Sequence, residues 1–190
     1  SLSRVRHGVQ FPRRAIGAVD TAQLEPHIAP MNDDDLQLQV ERLAAVQWRR
    51  YRALRLAALA EAPDAFFTRF EDERDRPDEF WVQRLEGAAI TFVASYNGAD
   101  VGLAVLAPLR TDPDDAGLFS VWVAPDARGR GVGEALTREA IHAAREASHR
   151  RLVLEVSDHN SAAVRLYERL GFQPTGRSGA MPPPREHIRE

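Results

Sequence analysis

A short glycine-rich segment lies between an apolar run and a long amphipathic run, and it carries the clearest chemistry in the chain. Its residues are Arg128, Gly129, Arg130, Gly131, Val132, Gly133 and Glu134. Glycine at every second position keeps side chains off one side of the backbone, so successive N–H groups can converge on an anion. The N-terminus of the following helix adds its dipole, and Arg128 and Arg130 can add charge-assisted contacts to phosphate. The segment therefore predicts a pyrophosphate-binding loop.

The elements that position this loop are predicted from the spacing of apolar residues. The loop follows an apolar run that ends at Pro125, and it precedes a helical stripe that begins at Val132. Strands are predicted at residues 36–41, 90–96, 101–109, 118–123, 151–156, 172–178 and 185–190, and helices at 45–60, 77–86, 132–147 and 162–170. Residues 36–41 are also good helix formers, so a single helix over 34–61 is an alternative. Asn97-Gly98 predicts a hairpin turn.

The composition excludes several kinds of chemistry. The chain has no cysteine, so disulfides and a thioester on the enzyme are excluded, and all 25 of its basic residues are arginine, which excludes a P-loop lysine. A net charge of −3 gives no general attraction to nucleic acid or to an anionic membrane. No apolar run approaches the roughly 20 residues of a membrane span, and no histidines have metal-ligand spacing. We therefore expect a cytoplasmic protein without nucleic-acid, membrane or metal partners.

The domain organisation is predicted from a change in pattern near residue 33. Residues 1–33 contain arginine and proline without apolar periodicity, and an acidic run follows Asn32. We expect these residues to form a poorly ordered N-terminal extension outside the core. The 190 residues otherwise suit one core, so residues 34–190 are predicted to form a single domain.

A second set of motifs follows the glycine loop. Leu154-Glu155-Val156 closes a predicted strand, Asn160 precedes a helix, and the run Leu166-Tyr167-Glu168-Arg169-Leu170-Gly171-Phe172 ends it. Together with the spacing Arg128-x-x-Gly131-x-Gly133, this order of motifs resembles the GCN5-related N-acetyltransferase (GNAT) superfamily. The resemblance covers about residues 36–190.

The resemblance implies a fold, a donor and a class of acceptor. The fold is mixed α/β, with a central, mostly antiparallel and splayed sheet of six or seven strands and about four helices. The donor is acetyl-CoA, with its pyrophosphate on the glycine loop and its pantetheine arm along the strand edge at Val121, Trp122 and Val123. The acceptor is a primary amine on a small molecule or peptide, which attacks the thioester directly. A homodimer through the last strands is also implied.

The resemblance further implies roles for three polar residues. Glu155 matches the place of a general base in some relatives, Tyr167 can donate to the departing thiolate or bond its sulfur, and Asn160 can contact the pantetheine arm. Asn160 also stands at an N-cap position, and Tyr167 lies on the apolar stripe of its helix, so capping and core packing are alternative roles. Residues 118–123 contain no acid. A catalytically silent acyl-CoA-binding or regulatory module is therefore the alternative function.

The resemblance implies that acceptor specificity lies in three segments: the acidic, aromatic connector within residues 61–80, the loop at 110–116 and the last hairpin. The phenylalanines of the connector, Phe66, Phe67 and Phe70, are expected to form core or pocket wall. Its acids, Glu71, Asp72, Glu73 and Asp75, can attract a cationic amine or form a solvated loop.

Overall fold

The computed structural model describes residues 13–23, 37–157 and 159–180. In these residues seven strands form one sheet, in the order β2-β3-β4-β5-β6-β1-β7, and there are five α-helices. The strands are β1 (Arg13–Asp20), β2 (Leu38–Arg42), β3 (Ile90–Tyr96), β4 (Ala99–Pro108), β5 (Asp115–Val123), β6 (Arg151–Ser157) and β7 (Gln173–Ala180). The helices are α1 (Trp48–Glu61), α2 (Phe70–Arg74), α3 (Asp78–Glu86), α4 (Val132–Glu146) and α5 (Ser161–Arg169). Only β5 and β6 pair in parallel, so the expected mostly antiparallel α/β sheet is confirmed for the described residues.

Two hydrophobic cores hold the sheet from its two faces. The stripe of α4, which includes Leu136 and Ala140, is fully buried and packs in the larger core with Phe92 of β3. Helices α1 and α3 cover the opposite face, where Trp81 packs with Trp122 of β5. The strand that precedes the glycine loop therefore contributes side chains to both cores, which fixes the position of the loop.

Most of the elements predicted from apolar spacing are confirmed. Asn97 and Gly98 have φ angles of 51° and 78°, as a tight hairpin turn between β3 and β4 requires. The alternative of one helix over 34–61 is wrong, because Leu38 and Val40 belong to β2 and pack against the larger core from there. Helix α2 is an addition within the acidic connector. None of the described helices is long and apolar enough to cross a membrane.

The expectation that residues 1–33 lie outside the core is wrong for residues 13–23. Strand β1 inserts between β6 and β7 and pairs antiparallel with both, from Arg14 opposite Ser157 to Asp20 opposite Arg151. Val19 is only 6% exposed and belongs to the larger core. A short apolar strand can gain this burial only from partners far along the chain, which apolar periodicity does not reveal. The predicted strand at 185–190 lies outside the described residues.

Replacing Val19 with Asp tests whether β1 belongs to the stable fold. A carboxylate at this buried position has no compensating partner, so we expect a loss of roughly 2 kcal/mol or more in the free energy of unfolding. Urea denaturation measures the loss, and Gln23→Asp, three residues beyond β1 at an exposed position, is the control. Equal midpoints for the two variants would contradict the placement of β1 in the core.

Candidate active site

The centre of the site is a gap between the two parallel strands. β5 and β6 pair only from Asp115 opposite Arg151 to Leu118 opposite Leu154. Within residues 115–157, all of which the structure describes, no pair joins the two strands beyond this point, although β5 continues to Val123 and β6 to Ser157. The second half of β5 therefore faces β6 across an opening, with one backbone edge turned toward the gap.

A bulge in β5 begins where the strands part. Val105 of β4 lies opposite Phe119 and Leu103 lies opposite Trp122, so β5 holds one residue more than β4 over this stretch. Ser120, inside the bulge, has a φ of 54°, a left-handed conformation that is uncommon outside glycine. The bulge redirects the end of β5 away from β6.

The glycine loop lies at the end of β5 and opens α4. Gly129 and Gly131 have φ angles of 76° and 80°, and a Cβ at either position would meet no atom within 4 Å. Their role is conformational, with open space beside them. The first paired amide of the helix is that of Ala135, which donates to the carbonyl of Gly131 at 2.9 Å. The preceding amides of the first helical turn have no acceptor within their own helix and are available to an anion.

Gly133 lies in the first turn of α4, next to β5 and α5. A Cβ there would lie 3.4 Å from Leu166 Cδ2 and 3.7 Å from Val123 Cγ2. Both distances are ordinary van der Waals contacts, so a Cβ would fit at this position. The sequence assigned all three glycines to the phosphate loop, and the conformation of the backbone favours glycine at Gly129 and Gly131.

The two loop arginines have protein partners in this structure. Arg128 donates from Nη2 to Glu61 Oε2 at 2.8 Å and from Nε to the carbonyl of Val123 at 3.1 Å. Glu61 Oε2 also accepts from Trp122 Nε1 at 2.9 Å, and these hydrogen bonds, first that of Trp122, lower the pKa of Glu61. The Arg130 guanidinium lies 5.3 Å from the centre of the Tyr96 ring. Contact of either arginine with phosphate stays a prediction.

One cavity of about 1980 Å³ brings together the predicted residues with a single exception. Its lining includes Val121, Trp122, Val123, Arg128, Gly129, Gly131, Val132, Gly133, Glu134, Glu155, Asn160 and Tyr167. Arg130 instead lines a smaller neighbouring pocket with Tyr96 and Asp126. The cavity also extends to the end of α1 and to the connector, so the predicted donor and acceptor sides share one space.

Asn160 and Tyr167 have structural roles as well as positions on the cavity wall. Asn160 Oδ1 accepts from the amide of Ala163 at 3.1 Å, which confirms it as the N-cap of α5. Tyr167 is 8% exposed, and its ring packs edge to face against Phe172 with centroids 5.6 Å apart. Burial raises the pKa of Tyr167 to about 12, so its hydroxyl keeps its proton over the physiological range.

Glu155 lies beside the gap, on the face of the sheet opposite the larger core. Leu118 and Leu154 are register partners and both belong to the larger core, so the residue after each one points to the opposite face of the sheet. Those residues are Phe119 and Glu155, and both are exposed and line the cavity. The structure thus places the predicted base across the opening from an aromatic ring.

A buried ion pair links the connector to the bulge. Arg55 of α1 donates to both carboxylate oxygens of Glu73 at 3.0 and 3.1 Å, to Thr68 Oγ1 at 2.7 Å and to Ser120 Oγ at 3.1 Å. Burial alone would raise the pKa of Glu73, but the hydrogen bonds and charge of Arg55, helped by Thr68 and Arg84, lower it. Glu73 is therefore held by arginine and does not face an acceptor. In the sequence, this ion pair was indicated by a cationic residue, Arg55, at a position on the buried stripe of α1.

Replacing Arg55 with Met tests the strength of this link. The change leaves the Glu73 charge buried without its main partner, so we expect a loss of about 3–5 kcal/mol in the free energy of unfolding. The double variant Arg55→Met/Glu73→Leu removes both charges and is expected to regain most of that loss. Urea denaturation measures both variants.

The matched control for the link is Arg50→Met. Arg50 forms a similar two-bond pair with Asp100, at 2.8 and 2.6 Å, but its side chain is 32% exposed. We expect a loss of about 1 kcal/mol there, because water compensates the two carboxylates that lose their partner, Asp100 and Glu41. Equal losses at Arg50 and Arg55 would contradict the account.

Comparison with known proteins agrees with this geometry. The sequence model of the acetyltransferase (GNAT) family matches residues 52–172. A putative ribosomal protein bS18-alanine N-acetyltransferase of Bacillus subtilis is 41% identical over 63 residues, 33% of this chain and 42% of that protein. A mycothiol acetyltransferase of Thermobifida fusca is 29% identical over 177 residues, 87% of this chain and 52% of that protein. The chain thus spans about half, or less, of these curated relatives.

A solved structure shares the fold. AAC(6')-Iy in complex with the bisubstrate analogue CoA-S-monomethyl-acetylneamine superposes with a TM-score of 0.56 at 18% identity, covering 74% of this chain and 93% of that chain. Among the described residues, no three histidine, aspartate or glutamate side chains are grouped to hold a metal ion. Because the family model covers more than half of the sequence and the splayed sheet with its glycine loop agrees with it, the chain belongs to the acetyltransferase (GNAT) family.

Proposed function

We propose that this protein is an acetyl-CoA-dependent N-acetyltransferase, which transfers the acetyl group to a primary amine of a small molecule or peptide. The observation that carries the proposal is the gap between β5 and β6, which the glycine loop borders at one end and Tyr167 lines. Membership of the family supports the donor, and the related fold of AAC(6')-Iy was solved with a CoA-containing analogue.

The donor would bind along the second half of β5. The amides of the first turn of α4 would hold the pyrophosphate, aided by the helix dipole. The pantetheine amides would add to the edge of β5 at Val121–Val123, as an added strand does. The Val123 carbonyl and the Arg128 side chain are joined to each other here, so binding would exchange that contact for contacts with the donor.

The reaction requires the amine to lie close to the thioester. It also requires one group that stabilises the departing sulfur and one that removes a proton from the nitrogen. The amine nitrogen attacks the thioester carbonyl, the new C–N bond forms, and the C–S bond then breaks to release the thiolate. Tyr167 would stabilise the developing negative charge on sulfur by a hydrogen bond. A phenol with a pKa of about 12 holds its proton more tightly than a thiol with a pKa of about 8.5, so a hydrogen bond is favoured over full transfer.

Glu155 would accept the proton that the attacking nitrogen must lose. A free alkylammonium has a pKa of about 10.4, so a base has to remove a proton near neutral pH. Glu155 is the carboxylate at the opening of the gap on the acceptor face, and an intervening water can relay the proton.

Turnover with acetyl-CoA and a panel of amines, read by mass spectrometry, tests the proposal together with Tyr167→Phe. We expect Tyr167→Phe to lower kcat by about 100-fold, the usual effect of removing one donor to a developing anion, with little change in the Kd for acetyl-CoA. Tyr51→Phe is the control, because Tyr51 is also a buried tyrosine but lies in the other core. Tight acetyl-CoA binding without turnover of any amine would instead favour the silent binding module.

Glu155→Gln separates the base from the rest of the site. Without the carboxylate, the rate should fall near neutral pH and recover as pH rises toward the pKa of the amine, because more of the acceptor is then neutral. A pH profile identical to that of the unmodified protein would show that another group removes the proton. The homodimer stays a prediction.

A further inference from the structure

The acceptor side of the cavity is lined by exposed aromatic rings. Among the described residues, the exposed large hydrophobic side chains are Val46, Phe67 and Phe119, at 85%, 63% and 44%. Two of these three line the cavity, where half-buried Phe66 and Phe70 also lie. An apolar surface that faces a shared substrate cavity is best explained by an apolar group that covers it.

The position of Phe119 is fixed by its neighbours. A Cβ on Gly117 would lie 2.3 Å from Phe119 Cζ, so the ring rests directly against the glycine backbone. The same Cβ would lie 2.8 Å from Leu109 Cδ2, which encloses the other side of that place. Only glycine at position 117 permits this arrangement. The ring is therefore held over the last paired residues of β5, next to the gap, with 44% of the residue still exposed.

The charges around these rings are complementary to an ammonium group. Glu155 lies across the opening from Phe119, and Glu71 and Asp72 line the connector wall. Arg55 is neutralised by its two bonds to Glu73, so it does not oppose a cation. Arg69 lies on the same wall, beside Glu71 and Asp72.

We propose that the acceptor is a primary amine that carries an aryl or branched apolar group a few bonds from its nitrogen, as an arylalkylamine does. The nitrogen would lie between Glu155 and the thioester, and the apolar group would cover Phe119 and Phe67. The inference rests on the proposed N-acetyl transfer, in which the amine attacks the thioester directly. The nitrogen forms the amide as the C–S bond breaks, and one N–H proton leaves through Glu155.

Steady-state kinetics with matched amines and saturating acetyl-CoA test the substrate class. The probes are phenethylamine, cyclohexylethylamine, methoxyethylamine, spermidine and kanamycin. We expect kcat/KM for phenethylamine and cyclohexylethylamine to exceed that for methoxyethylamine at least tenfold. All three carry a primary amine on an ethyl group, and the first two add a large apolar ring. Spermidine and kanamycin, which are polar polycations, should be poorer substrates than phenethylamine.

A substitution locates the effect at the ring. Phe119→Ala should raise the KM for phenethylamine about tenfold and change that for methoxyethylamine much less, with the Kd for acetyl-CoA unchanged. Val46→Ser is the control, because Val46 is an exposed apolar residue outside the cavity, and it should alter none of these constants.

The outcomes separate this inference from the function on which it rests. Turnover that prefers spermidine, kanamycin or methoxyethylamine would overturn the apolar acceptor and leave N-acetyl transfer standing. A Phe119→Ala variant that loses activity equally on all amines would also overturn it. Bound acetyl-CoA with no acetylation of any amine would overturn the proposed function itself.

Discussion

The structure depends on one constraint, which is that two parallel strands pair over four residues and then separate. The register ends at Leu118 and Leu154, and the bulge at Ser120 turns the end of β5 away. The two cores stabilise this separation, because Leu118 packs on the side of α4 while Trp122 packs on the side of α1 and α3. The break in pairing leaves an edge of β5 that does not pair with β6, a gap, and a glycine-rich helix start at the end of the strand. A ligand with an extended amide chain and a terminal anion fits all three features.

The buried Arg55–Glu73 pair extends this constraint to the acceptor side. The guanidinium of Arg55 carries five donors in a planar fork, and it contacts Glu73 of α2, Thr68 of the connector and Ser120 of the bulge at once. The single ammonium group of a lysine cannot do this. Desolvating two charges is costly, so such a pair contributes less to stability than its contacts suggest. Its main effect is positional, since it fixes the wall that carries Phe67 relative to the strand that carries Phe119.

The sequence predicted those features of the fold that depend on residues near one another in the chain. The stripe of α4, the Asn97-Gly98 turn and the order of the two motif groups were visible because each is set by residues near one another in sequence. Strand β1 was missed, because its stability comes from register with Arg151–Ser157, far along the chain. The burial of Glu73 was missed for the same reason, since its partner is on another helix. The bulge after Phe119 and the packing of its ring against Gly117 were not predicted, because both depend on tertiary structure.

Hydrogen exchange with and without saturating acetyl-CoA, followed by mass spectrometry of peptides, tests whether the donor binds in the gap between β5 and β6. A donor in the gap would pair with the edge of β5 and with the first turn of α4. Deuterium uptake should therefore fall in peptides that cover residues 119–134, while the hairpin at Asn97-Gly98 exchanges as before. Unchanged exchange over 119–134, or protection confined to other strands, would contradict the account.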